Sequence, residues 1–373
     1  MWRTGCARGC ARGMGTTCEG TSAKRMARVG KTYGTLYGTR RGDRVSDTSI
    51  SAPGAAVGRS ARVALAGFAS GVLPVLTVVA AILALWYAAC VPMNIHGTVN
   101  LARQHGFEAM PTTRGERRDM GAFALIAANP VAIAFTWSED KPRLPAPHQV
   151  VSELWVSTVS VAPTDKRSLV FHAWATLSAT LVGFVIGTGL GILLAVGIVH
   201  NRAMDMSVMP WAIASQTIPI LAIAPMVVVV LASVGLTGLL PKALISAYLS
   251  FFPVVVGMVK GLRSPDAMQL DLLKTYYASK TQTFWKLRLP ASMPYLFASL
   301  KIGAAASLVG AIVGELPSGG GQGLGARLLA GSYYGQTIQI WSALFMAAIV
   351  AASVVGIIGA VERVTLRRMG MRT

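Results

Sequence analysis

The chain has 373 residues, of which 53% are hydrophobic and only 13% are charged. An ordinary globular chain is about 25% charged, so this composition excludes a typical cytosolic enzyme, and its apolar content excludes an intrinsically disordered protein. The net charge of +19 does not by itself indicate a nucleic-acid partner, because membrane proteins concentrate Lys and Arg in cytoplasmic loops. The composition predicts an all-α, polytopic protein whose main surroundings are the lipid bilayer.

Residues 1–60 are rich in Gly, Arg, Thr and Ser and have almost no apolar periodicity. Such a segment cannot bury enough apolar surface to fold, and it lacks the apolar core of a signal peptide. Two interpretations stay open: a disordered basic tail in the cytoplasm, or a start codon assigned too early, with Met14 or Met26 as the later start.

Six apolar stretches are long enough to cross about 30 Å of hydrocarbon. The first, assigned to residues 61–92, has no charge from Val63 to Val91, and Pro74 predicts a kink or a late helix start. Five more make up a core over residues 168–365, followed by a basic tail at 366–373. They are Ser168–Val199, Ser207–Leu231, Leu240–Val259, Ala291–Leu316 and Ile338–Val361.

Residues 93–167 form a polar insertion between the first two spans. Its one apolar piece, Ala122–Trp137, is interrupted by Asn129 and Pro130 and is too short to span easily. We therefore expect an extracytoplasmic insertion that does not cross the membrane.

The distribution of Lys and Arg predicts the orientation, because short cytoplasmic loops are enriched in these residues. Residues 263–290, between spans four and five, and the segment after span six carry nine of them, whereas the loop between spans three and four has none. Both termini and the 263–290 loop are thus predicted to be cytoplasmic. The basic residues are Arg263, Lys274, Lys280, Lys286, Arg288, Arg363, Arg367, Arg368 and Arg372.

Span two carries Gly183, Gly187 and Gly191 at four-residue spacing, which makes a flat helical face that another backbone can approach closely. The face is interpreted either as a gate or dimer seam or as ordinary helix packing, and the second interpretation is favoured.

Span three contains two prolines, Pro219 and Pro225, which remove backbone donors and predict a local break. Irregular backbone at membrane depth is tolerated where it is buried in protein or lines a cavity. Gln216, Thr217 and Pro219, with Ser307 of span five, are therefore candidates for a substrate path between spans two, three and five. A kinked, purely structural helix is the equally weighted alternative.

Almost no ionisable residue lies inside the predicted spans. Lys301, in span five, is expected to reach toward the cytoplasmic face, and Glu315 lies at the outer end of that span. This scarcity disfavours the alternative function, an ion-coupled secondary transporter or channel, because such proteins usually carry intramembrane charges.

No motif for catalysis, metal binding or nucleotide binding is present. The five His are scattered and the Cys have no partners at zinc-site spacing, so no catalytic residue, metal or cofactor is predicted. The glycine cluster at 319–325 is not followed by the Lys-Ser or Lys-Thr of a phosphate-binding loop. Any ATP-driven work must be done by a partner chain.

The segment Asp271–Pro294 is too polar to span, and its apolar residues recur at helical spacing. It fits an amphipathic interfacial helix or a docking helix for a cytoplasmic partner. The segment resembles the EAA coupling loop of ABC-transporter permeases. Asp271 takes the Glu place, Leu272 and Leu273 the Ala pair, and Tyr277 the Gly. The positions that match as they stand are Ala278, Ser279, Phe284, Leu289, Pro290 and Pro294.

Other segments resemble the nitrate/sulfonate/taurine branch of these importers, namely Leu144–Val150, Gln216–Pro225 and Val313–Gly325. The resemblance implies a type I importer permease of the inner membrane, which forms a homodimer and binds cytoplasmic ATP-binding subunits. It also implies a periplasmic substrate-binding protein that delivers nitrate, an alkanesulfonate, taurine or an aminopyrimidine precursor. The first 60 residues and residues 93–140 depart from the family, as do Leu for Ala and Tyr for Gly in the loop.

Overall fold

The computed structural model describes residues 55–104, 106, 108–318 and 321–371, with side chains from residue 72 onward except those of 104 and 318. The regular secondary structure of these residues is helical, with turns and irregular loops between the helices and no β-strand. Two units are distinguished, residues up to Leu73 and from Pro74 onward; of the first, only the start of helix α1 (Ala55–Gln104) is described. The predicted tail at 1–60 thus lies outside the described residues, except that α1 already begins at Ala55.

Short helices follow α1 and build the insertion. They are α2 (Arg114–Asp119), α3 (Ala122–Ala128), a 3-10 helix (Pro130–Trp137) and α4 (Pro147–Trp155), which runs into a π-helical turn at Val156–Ser160. The predicted apolar piece Ala122–Trp137 is divided at Asn129 into two helices of 7 and 8 residues. Neither is long enough to cross a bilayer.

The remaining helices include the other candidate membrane spans and the short helices between them. They are α5 (Leu169–His200), α6 (Arg202–Ser215), α7 (Ile220–Ser233), α8 (Leu239–Leu262), α9 (Ala267–Thr275), α10 (Lys280–Thr283), a π-helical turn (Phe284–Arg288), α11 (Leu289–Glu315), a 3-10 turn (Leu316–Ser318), α12 (Leu324–Tyr334) and α13 (Thr337–Arg368).

Among the described residues, five helices are long and apolar enough to cross a membrane, and a bent pair makes a sixth candidate. The pair is α6 and α7, which meet at 97°. The span predicted at Ser207–Leu231 with a local break is therefore seen as two helices, and the predicted break is confirmed. Pro219 lies in the gap as the N-cap of α7, because a proline lacks the N–H that a continuing helix needs.

Helix α1 continues twelve residues beyond the predicted end of the first span at residue 92. Its last turns carry Ile95, Val99 and Ala102 at helical spacing, all buried in a cluster with Leu125 and Ala132. Polar residues separate these apolar positions in the sequence. Their burial stabilises the helix beyond residue 92, so the first residues of the predicted insertion are helical. The boundary predicted at residue 93 is thus not where the helix ends.

The transmembrane core is built on α8, which packs most extensively against α11 and α5. A Cβ at Gly183 would lie 2.5 Å from the Ala243 carbonyl oxygen, and one at Gly187 would lie 2.7 Å from that of Ala247. The glycine stripe therefore faces α8 of the same chain. Ordinary helix packing is confirmed, and the stripe is not available as a dimer seam.

We expect Gly187→Ala to destabilise the protein by about 1–3 kcal/mol, the usual effect of overpacking, because its new methyl group would also meet Ser250 Oγ at 2.1 Å. Gly189, on the same helix, has no heavy atom within 4 Å of the corresponding position. Gly189→Ala should therefore leave thermal unfolding in detergent nearly unchanged. Equal melting temperatures for the two variants would contradict this account of the packing.

Candidate functional site

The loop between α8 and α11 has one anchored side and one open side. Phe284 and Leu289 pack against a buried cluster at the ends of α5 and α8 that includes Ile198 and Leu262. The Phe284 ring also lies 5.1 Å from the His200 ring. On the open side, large apolar side chains of the loop are exposed. They are Met268, Leu272, Tyr276, Tyr277 and Trp285.

Tyr277 adopts a left-handed backbone conformation, which glycine usually occupies. Its φ is +51°, and it is the one non-glycine residue with positive φ among the residues that the structure describes. Its N–H donates to the Lys274 carbonyl, and the Ala278 N–H donates to that of Leu273. This pair of bonds is the Schellman end of α9, where glycine is preferred. The side chain is 96% exposed, so the ring is presented outward at some backbone cost.

The other predicted loop residues form a short, well-capped structure. Ser279 caps α10, with its hydroxyl accepting from the Gln282 N–H at 3.2 Å. Asp271 pairs with Lys274 at 2.8 Å on the exposed side. Pro290 lies in the first turn of α11, where proline is favoured, and Pro294 lies inside that helix. The predicted loop residues thus divide between the exposed side, with Leu272 and Tyr277, and the anchored side, with Phe284 and Leu289.

The predicted path residues are not brought together. Gln216, Thr217 and Pro219 lie exposed at the break between α6 and α7. Ser307, however, is fully buried between α5, α8 and α11. Its hydroxyl donates to the Thr180 carbonyl at 2.9 Å, and the Ser246 hydroxyl donates to its carbonyl at 2.7 Å. Ser307 is therefore a packing residue, and its assignment to the substrate path is corrected.

Two cavities lie along α7, between α5 and α8. One, of about 850 Å³, is lined by Phe171, Trp174, Lys242 and Gln322. The other, of about 450 Å³, lies beside the middle of these helices and has almost wholly apolar walls, including Leu190, Ile223 and Tyr248. Both cavities are thus lined by α5, α7 and α8, and the first also includes the charged Lys242 and the amide of Gln322.

Lys242 is a functional candidate that the sequence reasoning missed, although it stands as a charge within the predicted span four. It is buried, and its ammonium donates to the Gln322 carbonyl at 2.6 Å. Lys301, expected to reach toward the cytoplasmic face, pairs with Glu362 near the basic end of α13.

Glu315 fixes the glycine-rich turn after α11. Its carboxylate is 1% exposed and accepts from the Gly325 N–H at 2.7 Å and from the Thr176 hydroxyl at 2.9 Å. The Thr176 oxygen in turn accepts from the Leu324 N–H at 2.8 Å. This buried network holds the start of α12 against α5. Glycine is needed at 325, where a Cβ would lie 2.4 Å from the Ile312 carbonyl oxygen.

Metal chemistry finds no support in the geometry: no group of three His, Cys, Asp or Glu side chains within the described ranges is placed to hold an ion.

Comparison with known proteins places these features in one context. Residues 187–370 match the family described as the inner membrane component of binding-protein-dependent transport systems. The chain is 33% identical over 183 residues, 49% of its own length, to 68% of the formylaminopyrimidine transport permease protein ThiX of Halalkalibacterium halodurans. It is 29% identical, over 60% of its length, to 80% of the riboflavin transport system permease protein RibX of Chloroflexus aurantiacus. It is also 27% identical, over 49% of its length, to 66% of the nitrate import permease protein NrtB of Synechocystis sp..

Proposed function

Because the chain belongs to the family of inner membrane components of binding-protein-dependent transport systems, we propose how this permease does its work. The permease transports a small solute inward along the α6–α7 break. A separate ATPase subunit binds the loop Asp271–Leu289 and supplies the energy. The observation that carries this proposal is the loop itself, anchored through Phe284 and open through Tyr277. A surface loop with an uncovered apolar side is suited to a partner.

The coupling is mechanical in this proposal. The apolar side of the loop sits in a groove of the ATPase, and closure of the ATPase moves α8 and α11, between which the loop runs. The pathway then opens alternately to the two sides of the membrane. Aromatic anchors such as Tyr276, Tyr277 and Trp285 are the residue types that dominate protein interfaces.

A second copy of the chain completes the pathway. The broken backbone at 216–219 is exposed in one chain, and irregular backbone at membrane depth needs protein or a water-filled cavity around it. A homodimer with these breaks facing each other supplies both. Each copy then binds one ATPase subunit.

The solute belongs to the nitrate, sulfonate, taurine or aminopyrimidine-precursor type and is delivered by a periplasmic binding protein. The relatives named for formylaminopyrimidine and nitrate transport support this range. The path itself selects weakly among solutes, because the cavity of about 450 Å³ beside α7 has almost wholly apolar walls. Affinity resides in the binding protein.

Both termini and the loop lie in the cytoplasm of a cell whose inner membrane holds the protein. Reporter fusions at Arg118 and Ser279 test this orientation. We expect them to report opposite sides of the membrane, since the loop carries the Lys and Arg of a cytoplasmic segment. Reports from the same side would contradict the proposed topology.

We expect Gln216→Leu to slow uptake severalfold at saturating binding protein without changing which solute is chosen. The substitution removes an exposed amide from the break in the pathway. The measurement is ATP-dependent uptake in proteoliposomes that contain the permease, its ATPase and its binding protein.

Ser353→Leu, on an exposed position of α13, is the control and should transport normally. An altered solute preference in Gln216→Leu would mean that the permease itself reads the solute. Uptake without ATP would overturn the proposed function.

A further inference from the structure

The insertion encloses a cleft with strongly one-sided charge. This insertion cleft has a volume of about 830 Å³ and lies between the last turns of α1, helix α2 and residues 139–143. Five cationic side chains line it against one carboxylate, Glu139. The cations are Arg114, Arg117, Arg118, Lys141 and Arg143. The volume falls within the range of roughly 300–1,000 Å³ typical of small-ligand sites.

Most of the positive charge of the cleft has no ion-pair partner among the residues that the structure describes. Across the described residues, none of Arg114, Arg118, Lys141 and Arg143 forms an ion pair. The insertion as a whole contains acidic residues, including Glu108, Glu116 and Asp119, but they are not in the lining. The cationic side chains are thus clustered on one side of the insertion. Their mutual repulsion destabilises the fold unless an anion binds between them.

Arg117 is the buried member of this set. It is 5% exposed, and its guanidinium donates to the carbonyls of Pro111 at 2.7 Å and Thr112 at 3.0 Å and to Asn100 Oδ1 at 3.4 Å. All three acceptors are neutral. A buried charge with only neutral partners keeps an unmet demand for a counter-charge.

The frame that carries these side chains is fixed. Asn94 of α1 donates to the carbonyls of Thr136 at 3.1 Å and Leu144 at 2.8 Å, and it accepts from the Leu144 N–H at 3.0 Å. These bonds hold the segment with Lys141 and Arg143 against α1. Arg117 holds α2 in the same way from the other side. The cleft is therefore preformed, which lowers the cost of binding.

Glu139 is the opposing group. Its carboxylate lies so close to Gly97 that a Cβ there would be 2.0 Å from Oε1. Burial raises the pKa of Glu139; Arg143 opposes this shift and Asp140 adds to it. The one carboxylate of the cleft is thus poorly solvated and offsets only a fraction of the positive charge.

We propose that the insertion cleft binds a phosphate-type oxyanion between α2 and the Lys141–Arg143 segment. Guanidinium groups match the oxygens of phosphate or sulfonate with paired hydrogen bonds. The anion has two possible sources, an anionic phospholipid headgroup and a free solute. The lipid source has a geometric basis, because the cleft lies at the end of a membrane helix and the insertion exposes Phe123 and Val131.

The test uses the full chain in nanodiscs and two probes. In the first arm, phosphatidylcholine discs contain a minor fraction of phosphatidylglycerol, and the phosphatidylglycerol retained after extraction is measured by mass spectrometry. In the second arm, discs of phosphatidylcholine alone are titrated with inorganic phosphate by calorimetry. An anion bound in only one arm identifies its source.

The double variant Lys141→Gln with Arg143→Gln removes two exposed cations of the cleft. We expect it to weaken binding about tenfold, since charge-assisted hydrogen bonds are lost. The double variant Lys166→Gln with Arg167→Gln removes the same two residue types from an exposed turn of the same insertion. It should change binding by less than about twofold, because that turn lies outside the cleft.

Glu139→Gln is expected to tighten binding severalfold, a gain that a damaged fold cannot produce. Equal losses in the two double variants would reduce the effect to general surface charge and overturn the proposal. So would a failure of the wild-type protein to bind in either arm, or weaker binding by Glu139→Gln.

Discussion

Replacing Tyr277 with aspartate is expected to abolish ATP-coupled transport while the membrane helices stay folded. The side chain is 96% exposed in the isolated chain, so the substitution costs little until the ATPase binds. In the proposed complex it places an unpaired carboxylate in an apolar groove, at a cost of roughly 2–5 kcal/mol. Co-purification of the ATPase and its stimulation by the reconstituted permease are the measurements.

Two controls separate this effect from others. Tyr277→Asn removes the ring but adds no charge, and asparagine tolerates the left-handed backbone of this position. The difference between the Asp and Asn variants isolates the buried charge. Tyr333→Asp places the same charge on an exposed tyrosine of α12 and should leave ATPase binding intact. A Tyr277→Asp protein that co-purifies and transports normally would show that the loop is not the coupling surface.

Glu315→Ala is expected to lower the free energy of unfolding by about 1–3 kcal/mol, the usual cost of leaving a buried hydrogen-bond donor without its acceptor. The Gly325 N–H and the Thr176 hydroxyl lose their acceptor, and the start of α12 loses its hold on α5. The readout is the melting temperature in detergent, with protease sensitivity near residue 325 as a local probe.

Glu315→Gln keeps an oxygen that can accept from Gly325 and removes the charge, so its loss should be clearly smaller. This comparison distinguishes the hydrogen bonds from the carboxylate charge. An Ala variant that melts with the wild type would show that the network does not hold the turn.

Apolar length predicts the transmembrane helices well, because crossing the bilayer imposes it directly. It fails where the apolar residues are spaced rather than continuous. The last turns of α1 carry a stripe of Ile95, Val99 and Ala102 whose partners come from α3 and the 3-10 helix. Those partners are distant in the sequence, so the extension of the helix depends on tertiary packing that a window of residues does not contain.

The candidate site also contains some features that the sequence predicts and others that depend on tertiary packing. The loop can be predicted from the sequence because its turn residues and prolines act on neighbouring residues of the chain. Tyr277, at the position that the family fills with glycine, has a positive φ. Ser307 was misassigned because a small polar residue in an apolar span serves equally as a path lining or as a hydrogen-bonded contact between helices. Lys242 could not be predicted as a site residue, because its hydrogen-bond acceptor, the Gln322 carbonyl, lies 80 residues away along the chain.

One feature of the helices bears on how force travels. The helical run from Lys280 to Glu315 is continuous over 36 residues, a rod about 54 Å long at 1.5 Å per residue. Trp285 of the loop lies in its first turns, and its last residue, Glu315, accepts a hydrogen bond from the Gly325 N–H in the first turn of α12. In the proposed function, closure of the ATPase displaces the loop at the start of this helix, and the continuous helix carries that displacement to Glu315 at its other end. The hydrogen bonds that hold the start of α12 are then the contacts that ATP-driven motion would strain on the far side of the membrane.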